Sequence, residues 1–305
     1  MKDYKISIII VNYNTSQLTY ECVKSIFKNQ DNTTLEVIIV DNASQKTDYD
    51  NLLAKFLNVK NVKIVRSKIN LGFGGGNMLG IQHATGDFYA FINSDVLFIE
   101  SVFEKLVSFA NSKTDFGVAG IQILDAENKK SISYRYFEGI RYKLLGRKFL
   151  EFTKKEKLSA KKNTNEPFSV DFVIGSFMFF KKDVFNNIGG FDTNIFLYYE
   201  ETDICYRLKK NGFKTYFLPE LQYIHLEGKS ANRNLDLKFE HWISYFYVTR
   251  KNFGLFKYLI IKHYLLITYL FKAPFKKKNY FVFKNMLKAN ESLALSLKHK
   301  QKIID

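Results

Sequence analysis

Three short, nearly wholly apolar runs narrow the fold more than anything else in this chain. They are Lys5–Val11 (KISIIIV), Leu35–Val40 (LEVIIV) and Phe88–Ile92 (FYAFI). A run with no polar face offers nothing to water, so each reads as a strand buried on both sides. Helical patterns lie between them. Thr15 or Ser16 can cap a helix to about Asn29 that puts Leu18, Cys22, Val23, Ile26 and Phe27 on one face. A second helix is expected around Asp50–Leu57 and a third strand over Val62–Val65. Strands alternating with helices imply an α/β chain built on a parallel sheet with right-handed crossovers.

Each strand ends in polar residues: Asn12-Tyr13-Asn14-Thr15, Asp41-Asn42-Ala43-Ser44 and Asn93-Ser94-Asp95. They fall at the carboxyl edge, where open α/β sheets bind ligands. An aspartate fixed there can hold a hard divalent cation, which in turn holds phosphate oxygens. The Asn93-Ser94-Asp95 triplet also makes an ordinary capped turn. Asn70–Asn77 (NLGFGGGN) opens a helix to about Ala84. Its glycines let backbone approach a ligand closely, and a helix N-terminus attracts anions. The spacing is not that of a dinucleotide fingerprint, and no phosphate-binding Gly-Lys-Ser/Thr loop is present.

The second half continues with a helix over Ser101–Ala110 and a strand over Phe116–Ile123. Phe168–Phe180 reads as one apolar strand interrupted at Gly175-Ser176, and Gly189–Asp192 as a turn. Leu197–Asp203 leads into a helix that Gly212 ends, with Ile204, Cys205 and Leu208 inward. Thr215–Leu218 and Gln222–Leu226 read as two short strands, His225 lying in the second. Glu200, Glu201 and Asp203 sit at a helix start, where carboxylates also serve as plain dipole partners. A strand histidine such as His225 is often structural as well.

Charge divides the chain. Residues 1–128 hold 12 basic and 14 acidic groups, and residues 163–225 hold 6 and 8. Residues 129–162 hold 12 and 3, and residues 226–305 hold 16 and 5. A slightly acidic body thus carries two basic segments, which point to an anionic partner or to a solvated lysine-rich surface. The segment at 129–165 reads as a basic insertion or loop over the site, and residues 231–305 as a basic helical extension of a domain spanning 1–230. Within that extension Leu255–Phe271 is almost entirely apolar, but Lys257, Lys262 and His263 interrupt it. A spanning helix needs ~20 apolar residues with few charges, so none is expected. An apolar helix beside Lys272 and Lys276–Lys278 instead suits a membrane interface, or packing on the body or a second copy. Cys22 and Cys205 lie far apart with no metal-ligand spacing, which suits a reducing compartment. The first residues lead into an apolar run too short for a signal peptide.

The ordered motifs SIIIVNYN (Ser7–Asn14), VIIVDNAS (Val37–Ser44), NLGFGGGN (Asn70–Asn77), FINSDV (Phe91–Val96), GSFMFFKK (Gly175–Lys182), GGFDTNIFLYYEETDICYRLKKNG (Gly189–Gly212) and HLEGKS (His225–Ser230) resemble family 2 glycosyltransferases. The likeness covers roughly residues 5–230 and is strongest to a bacterial rhamnosyltransferase-like branch. It implies a GT-A fold: a Rossmann-like mixed, mostly parallel sheet flanked by helices. It also implies an inverting transfer from a nucleoside-diphosphate sugar, with rhamnose favoured, onto a glycan or lipid-linked oligosaccharide.

By the same resemblance Asp41 binds the nucleobase or ribose. Asn12, Tyr13, Asn14, Asn70, Gly72, Gly74, Asn77, Asn93 and Ser94 lie along the nucleotide sugar. Asp95 matches the last residue of the family's Asp-x-Asp metal motif, whose first position here is Asn93, one charge fewer. His225 completes the shell around Mg2+ or Mn2+. Glu201 matches the catalytic base, Glu200 is the alternate, and Asp203 orients the site or meets the acceptor.

The implied setting is cytoplasmic, peripheral on the cytoplasmic face of the inner membrane, with a homo-oligomer compatible. A glycoside hydrolase also uses two carboxylates, but would need neither nucleotide nor metal. A catalytically inactive polysaccharide- or nucleic-acid-binding protein would explain the charge. Nucleic acid is not expected, because the basic groups lie outside the ordered core and on no reading motif.

Overall fold

The computed structural model describes residues 4–137, 165–226, 235–289 and 293–304. Its centre is a nine-stranded sheet. The strands are β1 (Lys5–Asn12), β2 (Thr34–Asn42), β3 (Val62–Ser67), β4 (Phe88–Asn93), β5 (Val96–Phe98), β6 (Phe116–Leu124), β8 (Phe168–Val170), β10 (Phe177–Lys181) and β11 (Lys214–His225). The order is β3-β2-β1-β4-β10-β6-β11-β5, with β8 also on β11. The strands β3, β2, β1 and β4 are parallel neighbours, and β6 is parallel to β11. Only β10, β5 and β8 run against that direction. The sheet is therefore mixed and mostly parallel. A two-stranded ribbon joins β7 (Tyr134–Arg135) to β9 (Phe172–Val173).

The apolar runs are continuous because both faces of the sheet are covered. In β1, Ile6, Ile8 and Ile10 face one core and Ile9 the other. In β4, Phe88, Ala90 and Ile92 oppose Tyr89 and Phe91 in the same way. This is the two-residue period of a strand, hidden from the sequence because both sides are dry. The first core is closed by α1 (Ser16–Lys28), α2 (Lys46–Phe56) and α4 (Phe103–Ser112) through Cys22, Ile26, Leu52, Phe56 and Leu106. The second is closed by α3 (Gly72–Ile81), α5 (Lys182–Asn187) and α6 (Glu200–Lys210). At its heart Phe91 meets Phe191 at 4.8 Å and Phe185 at 4.9 Å between ring centroids. Such pairs add about 0.5–1.5 kcal/mol each beyond burial.

Several expectations change. The interruption at Gly175-Ser176 separates β9 from β10 as expected, and a second break comes at Asp171, between β8 and β9, where the carboxylate binds the Lys209 ammonium at 2.7 Å. The two short strands expected over 215–226 are one strand, β11, whose register against β6 slips between Leu218 and Gln222. The cap of α1 comes from neither Thr15 nor Ser16. Its Ser16 N–H donates instead to Asp48 Oδ1 on α2 at 3.0 Å. Of the basic segment at 129–165, residues 138–164 lie outside the described residues.

The C-terminal helices α7 (Leu235–Phe253), α8 (Leu255–Lys272) and α9 (Lys277–Lys288) build a third cluster around Phe246, Tyr258, Ile261 and Met286. They are tied to the body through α7. Ser244 Oγ donates to the Leu197 carbonyl at 2.8 Å, and Tyr247 OH donates to Asp192 Oδ2 at 2.9 Å. The tail returns to the sheet edge, where Ile304 N–H donates to the Lys68 carbonyl at 2.8 Å.

Candidate active site

The carboxyl ends of β1 and β2 form one fastened corner. Asn12 and Asp41 are register partners, and both are fully buried. Asn12 Nδ2 reaches Asp41 Oδ1 at 3.0 Å, Asp48 Oδ2 at 3.0 Å and Ser44 Oγ at 3.1 Å. Its Oδ1 accepts from Thr19 at 2.8 Å and Thr15 at 3.2 Å. That amide is saturated by protein, so its task is to aim Asp41. Asn14 adopts φ 55° and packs back on Ser44 and Gln45, while the Tyr13 ring is exposed beside them. Arg66 at the end of β3 stands 3.6 Å from Asp41 and lies over the Tyr49 ring at 4.0 Å. That Nε is buried and makes no hydrogen bond, so its pairing with Asp41 is through charge alone. The sequence reading missed Arg66 and Asp48, which carry no motif of their own, and gave Ser44, the last residue of the VIIVDNAS motif, no role in the site.

The glycine-rich helix is explained by packing. Asn42 Nδ2 donates to Asn70 Oδ1 at 2.9 Å and to the Gly72 carbonyl at 3.0 Å, pinning the start of α3 to β2. Gly72 has φ +75°, and a Cβ there would lie 2.0 Å from the Phe196 carbonyl oxygen. A Cβ at Gly80 would lie 2.5 Å from Ile9, and one at Gly74 would touch Phe191 and Glu200. These glycines therefore let α3 lie close on β1 and on the 191–200 loop. Asn77 turns back on its own helix, donating to the Phe73 carbonyl at 3.0 Å.

Asn93-Ser94-Asp95 leaves β4 and turns into β5, which pairs with the end of β11 so that Val96 faces His225. This brings together two residues far apart in sequence. His225 Nε2 lies 3.2 Å from Asp95 Oδ1, and Leu226 N–H donates to the Asp95 carbonyl at 3.0 Å. Asp95 is 1 % exposed, and His225 Nδ1 is buried with no hydrogen-bond partner. The carboxylate oxygen is a donor that Mg2+ and Mn2+ take, and the imidazole nitrogen in direct reach of it is a donor for a transition ion such as Mn2+. Among the described residues no third His, Cys, Asp or Glu completes a cation site. The remaining positions would fall to ligand oxygens or water. Ser94 Oγ contacts Thr15 Oγ1 at 3.2 Å, linking this turn to the Asn12 corner.

Glu200 and Glu201 open α6 behind two consecutive left-handed residues, Tyr198 (φ 74°) and Tyr199 (φ 70°). Such a conformation is costly without glycine and must be held from outside. His241 on α7 does part of this, its Nε2 lying 3.1 Å from Tyr199 OH. Glu200 is buried with Oε1 unpartnered. Burial, then the charge of Glu201, pushes its carboxyl well above the ordinary range. Glu201 is partly open, and its carboxylate lies 3.6 Å from where a Gly175 Cβ would be. Burial raises its pKa too, opposed first by its own backbone N–H and then by the positive charge of Arg135 on β7. Gly175-Ser176 in turn abuts the Asp95 turn, since Asn93 N–H donates to the Ser176 carbonyl at 3.0 Å. Glu201, Asn93, Asp95 and His225 thus belong to one connected neighbourhood at the carboxyl edge.

Asp203 stands apart from it. It is fully buried, and its oxygens face Arg207 Nε at 2.9 Å and Lys251 Nζ at 2.8 Å. Arg207 also donates to the Ile188 and Gly190 carbonyls, both at 2.6 Å. Contact with an acceptor is ruled out by this enclosure, and Asp203 instead locks the 188–192 turn and α7 onto α6. Of the HLEGKS stretch, residues 227–230 lie outside the described residues. Both cysteines are buried and free, and burial raises both thiols, Cys205 to about 12.

Residues 7–189 match the sequence model of the family described as Glycosyl transferase family 2. The chain is 26% identical over 211 residues to the low-salt glycan biosynthesis hexosyltransferase Agl10 of Haloferax volcanii, covering 68% of this chain and 62% of that protein. It is 27% identical over 146 residues to the hyaluronan synthase of Streptococcus pyogenes, covering 46% and 34%. It therefore spans less than two thirds of the length of these relatives. Among solved structures it resembles GalNAc-T7 with UDP, GalNAc and Mn2+ (TM-score 0.60, 17% identity, 82% of this chain and 48% of that one). It also resembles the mannosyltransferase PcManGT of Pyrobaculum calidifontis with GDP-Man and Mn2+ (TM-score 0.57, 16% identity, 95% and 74%). The shared architecture is the GT-A fold.

Proposed function

This chain belongs to glycosyl transferase family 2, and on that premise we propose that it transfers a sugar from a nucleoside-diphosphate donor to a glycan or lipid-linked acceptor with inversion of configuration. The observation that carries the reading is the junction of Asp95 and His225 at 3.2 Å, with Glu201 in the same neighbourhood. Asp95 and His225 would hold Mg2+ or Mn2+. A cation bound there supplies positive charge against that developing on the departing diphosphate. Asp41, aimed by Asn12, accepts a hydrogen bond from the nucleobase or ribose. Glu201 takes the proton of the acceptor hydroxyl as that oxygen bonds to the anomeric carbon and the bond from that carbon to the phosphate oxygen breaks. The nucleoside diphosphate leaves with the electron pair. The raised pKa of Glu201 suits a base that must accept a proton near neutral pH.

A hydrolase needs two carboxylates flanking the sugar. Glu200 is sealed against Gly74 and offers no second open carboxylate beside Glu201. Names among the relatives and neighbours support a hexose, and the sequence motifs favour rhamnose. Among the described residues no helix is long and apolar enough to cross a membrane. The cytoplasmic face of a membrane is the proposed working place.

The experiment is a panel of nucleotide sugars assayed for thermal stabilisation and turnover, with Mn2+, with Mg2+ and with chelator. A ligand at a hundred times its dissociation constant stabilises by about 2.7 kcal/mol. Stabilisation by one nucleotide class that chelator abolishes is expected. Absence of both stabilisation and turnover across the panel would overturn the reading.

A further inference from the structure

The helix α8 has two apolar faces, and only one is used. Tyr258, Ile261 and Leu265 are buried in the third cluster. Helical spacing places Phe256, Leu259, Ile267, Leu270 and Phe271 on the opposite side, and all five are exposed. His263 is the one polar residue among them, and it too is exposed. The strip runs ~22 Å from Phe256 to Phe271 at 1.5 Å per residue. Phe256 is 76% exposed and Phe271 70%, and Phe275, just beyond, is 83% exposed. A contiguous apolar strip of this length left in water marks an interaction site, so this face awaits a cover.

Charge says what the cover is. Residues 241–290 contain ten basic side chains and no acidic one. Lys257 is exposed beside the strip, while Lys262 lies over the Phe246 and Tyr258 rings of the third cluster, and Lys272 and Lys276–Lys278, all exposed, crowd the strip's far end. A second copy would set like charges against each other. An anionic bilayer instead accepts bulky apolar side chains below its headgroups and lysine ammoniums among them. We propose that α8 and the following Lys276–Lys278 segment form a docking surface for an anionic lipid bilayer. This goes beyond the transfer reaction and stands without it. It places the bilayer one helix away from the site: α8 packs on α7, and His241 on α7 meets Tyr199, directly before Glu200.

Vesicle co-sedimentation tests this. The protein is mixed with phosphatidylcholine vesicles, with and without phosphatidylglycerol, at low and high salt. Binding that requires phosphatidylglycerol and weakens with salt is expected. Each lysine near an anionic surface contributes roughly fivefold to partitioning, so the triple variant Lys276→Gln, Lys277→Gln, Lys278→Gln loses on the order of 100-fold. The triple variant Phe256→Ser, Phe271→Ser, Phe275→Ser also loses binding at unchanged charge. Because these phenylalanines lie outside the core, circular dichroism and melting temperature stay as in the parent. The proposal is overturned if the parent ignores anionic vesicles, or if both variants bind as the parent does. It is equally overturned if the parent sediments as a dimer that the phenylalanine variant dissociates. These readouts need no substrate, so their failure is distinct from failure of the transfer reading.

Discussion

Replacing Glu201 by Gln keeps the shape of the side chain and removes only its capacity to take a proton. The neighbouring Gly175 leaves ordinary contact distance, 3.6 Å from the carboxylate to a notional Cβ, and the amide fits the same space. Positioned general bases contribute typically 10²–10⁴-fold, so kcat should fall by that factor, about 2.7–5.5 kcal/mol of barrier. The donor KM should hold, because Asp41, Asp95 and His225 are untouched. Stability should move the other way. Burial lifts the Glu201 pKa above 4.5, which means that the fold disfavours its charged form. A group raised in this way contributes its full stability below its unfolded value and loses it as pH rises through the folded value. Glutamine does not titrate. The variant should therefore melt at or above the parent temperature at neutral pH, with the advantage fading towards pH 4.5. In the parent, the acid limb of the kcat/KM profile should lie above the usual carboxylate range. Arg135→Gln should push it slightly higher, since Arg135 adds to the lowering that the Glu201 backbone N–H supplies. Assays of donor turnover against pH, paired with calorimetry, read both arms. Retention of kcat within tenfold, or a loss matched by a fall in melting temperature, would refute the assignment of Glu201 as base.

Three further outcomes follow from the same geometry. Asp95→Asn and His225→Ala should each raise the cation concentration needed for half-maximal donor stabilisation by at least about tenfold, read by melting curves across a Mn2+ titration; unchanged curves in both would remove them from the metal site. Arg207→Met strips Asp203 of one of its two cationic partners, leaving Lys251, and frees the Ile188 and Gly190 carbonyls; breaking a buried pair costs about 3–5 kcal/mol, and a urea midpoint equal to the parent's would refute the clamp. Gly72→Ala forces a side chain into φ +75° against the Phe196 carbonyl, which should cost about 1–3 kcal/mol and weaken donor binding by displacing α3; full stability with normal binding would show that the loop yields freely.

Much of the sheet was legible because burial leaves a mark on sequence. The runs in β1, β2 and β4 read as strands covered on both sides, being short and rich in β-branched and aromatic residues, and their polar ends lie at one edge. Asp41, Asp95, Glu201 and His225 could be singled out as candidates only as motifs in order. Roles assigned from motif alone were less secure. Asn12 and Asn77 are consumed by internal hydrogen bonds, and the glycines of α3 serve packing against Ile9 and Phe196. Asp203 shares a helix turn with Glu200 yet points into a cation clamp. Identity and spacing are the same for a ligand contact and a structural one; only the surroundings differ.

By itself, then, the sequence determined which segments must be dry and where carboxylates would meet a sheet edge, because hydrophobic periodicity is a local property. The tertiary structure decided what is non-local. It joined Asp95 to His225 across 130 positions through the antiparallel pairing of β5 with β11. It set Glu201 beside Gly175, and it used α7 to hold two left-handed tyrosines in place. Hydrogen-bond distances and desolvation arise only when separate strands and helices close on one another, and those two quantities make a carboxylate a ligand, a base or a brace.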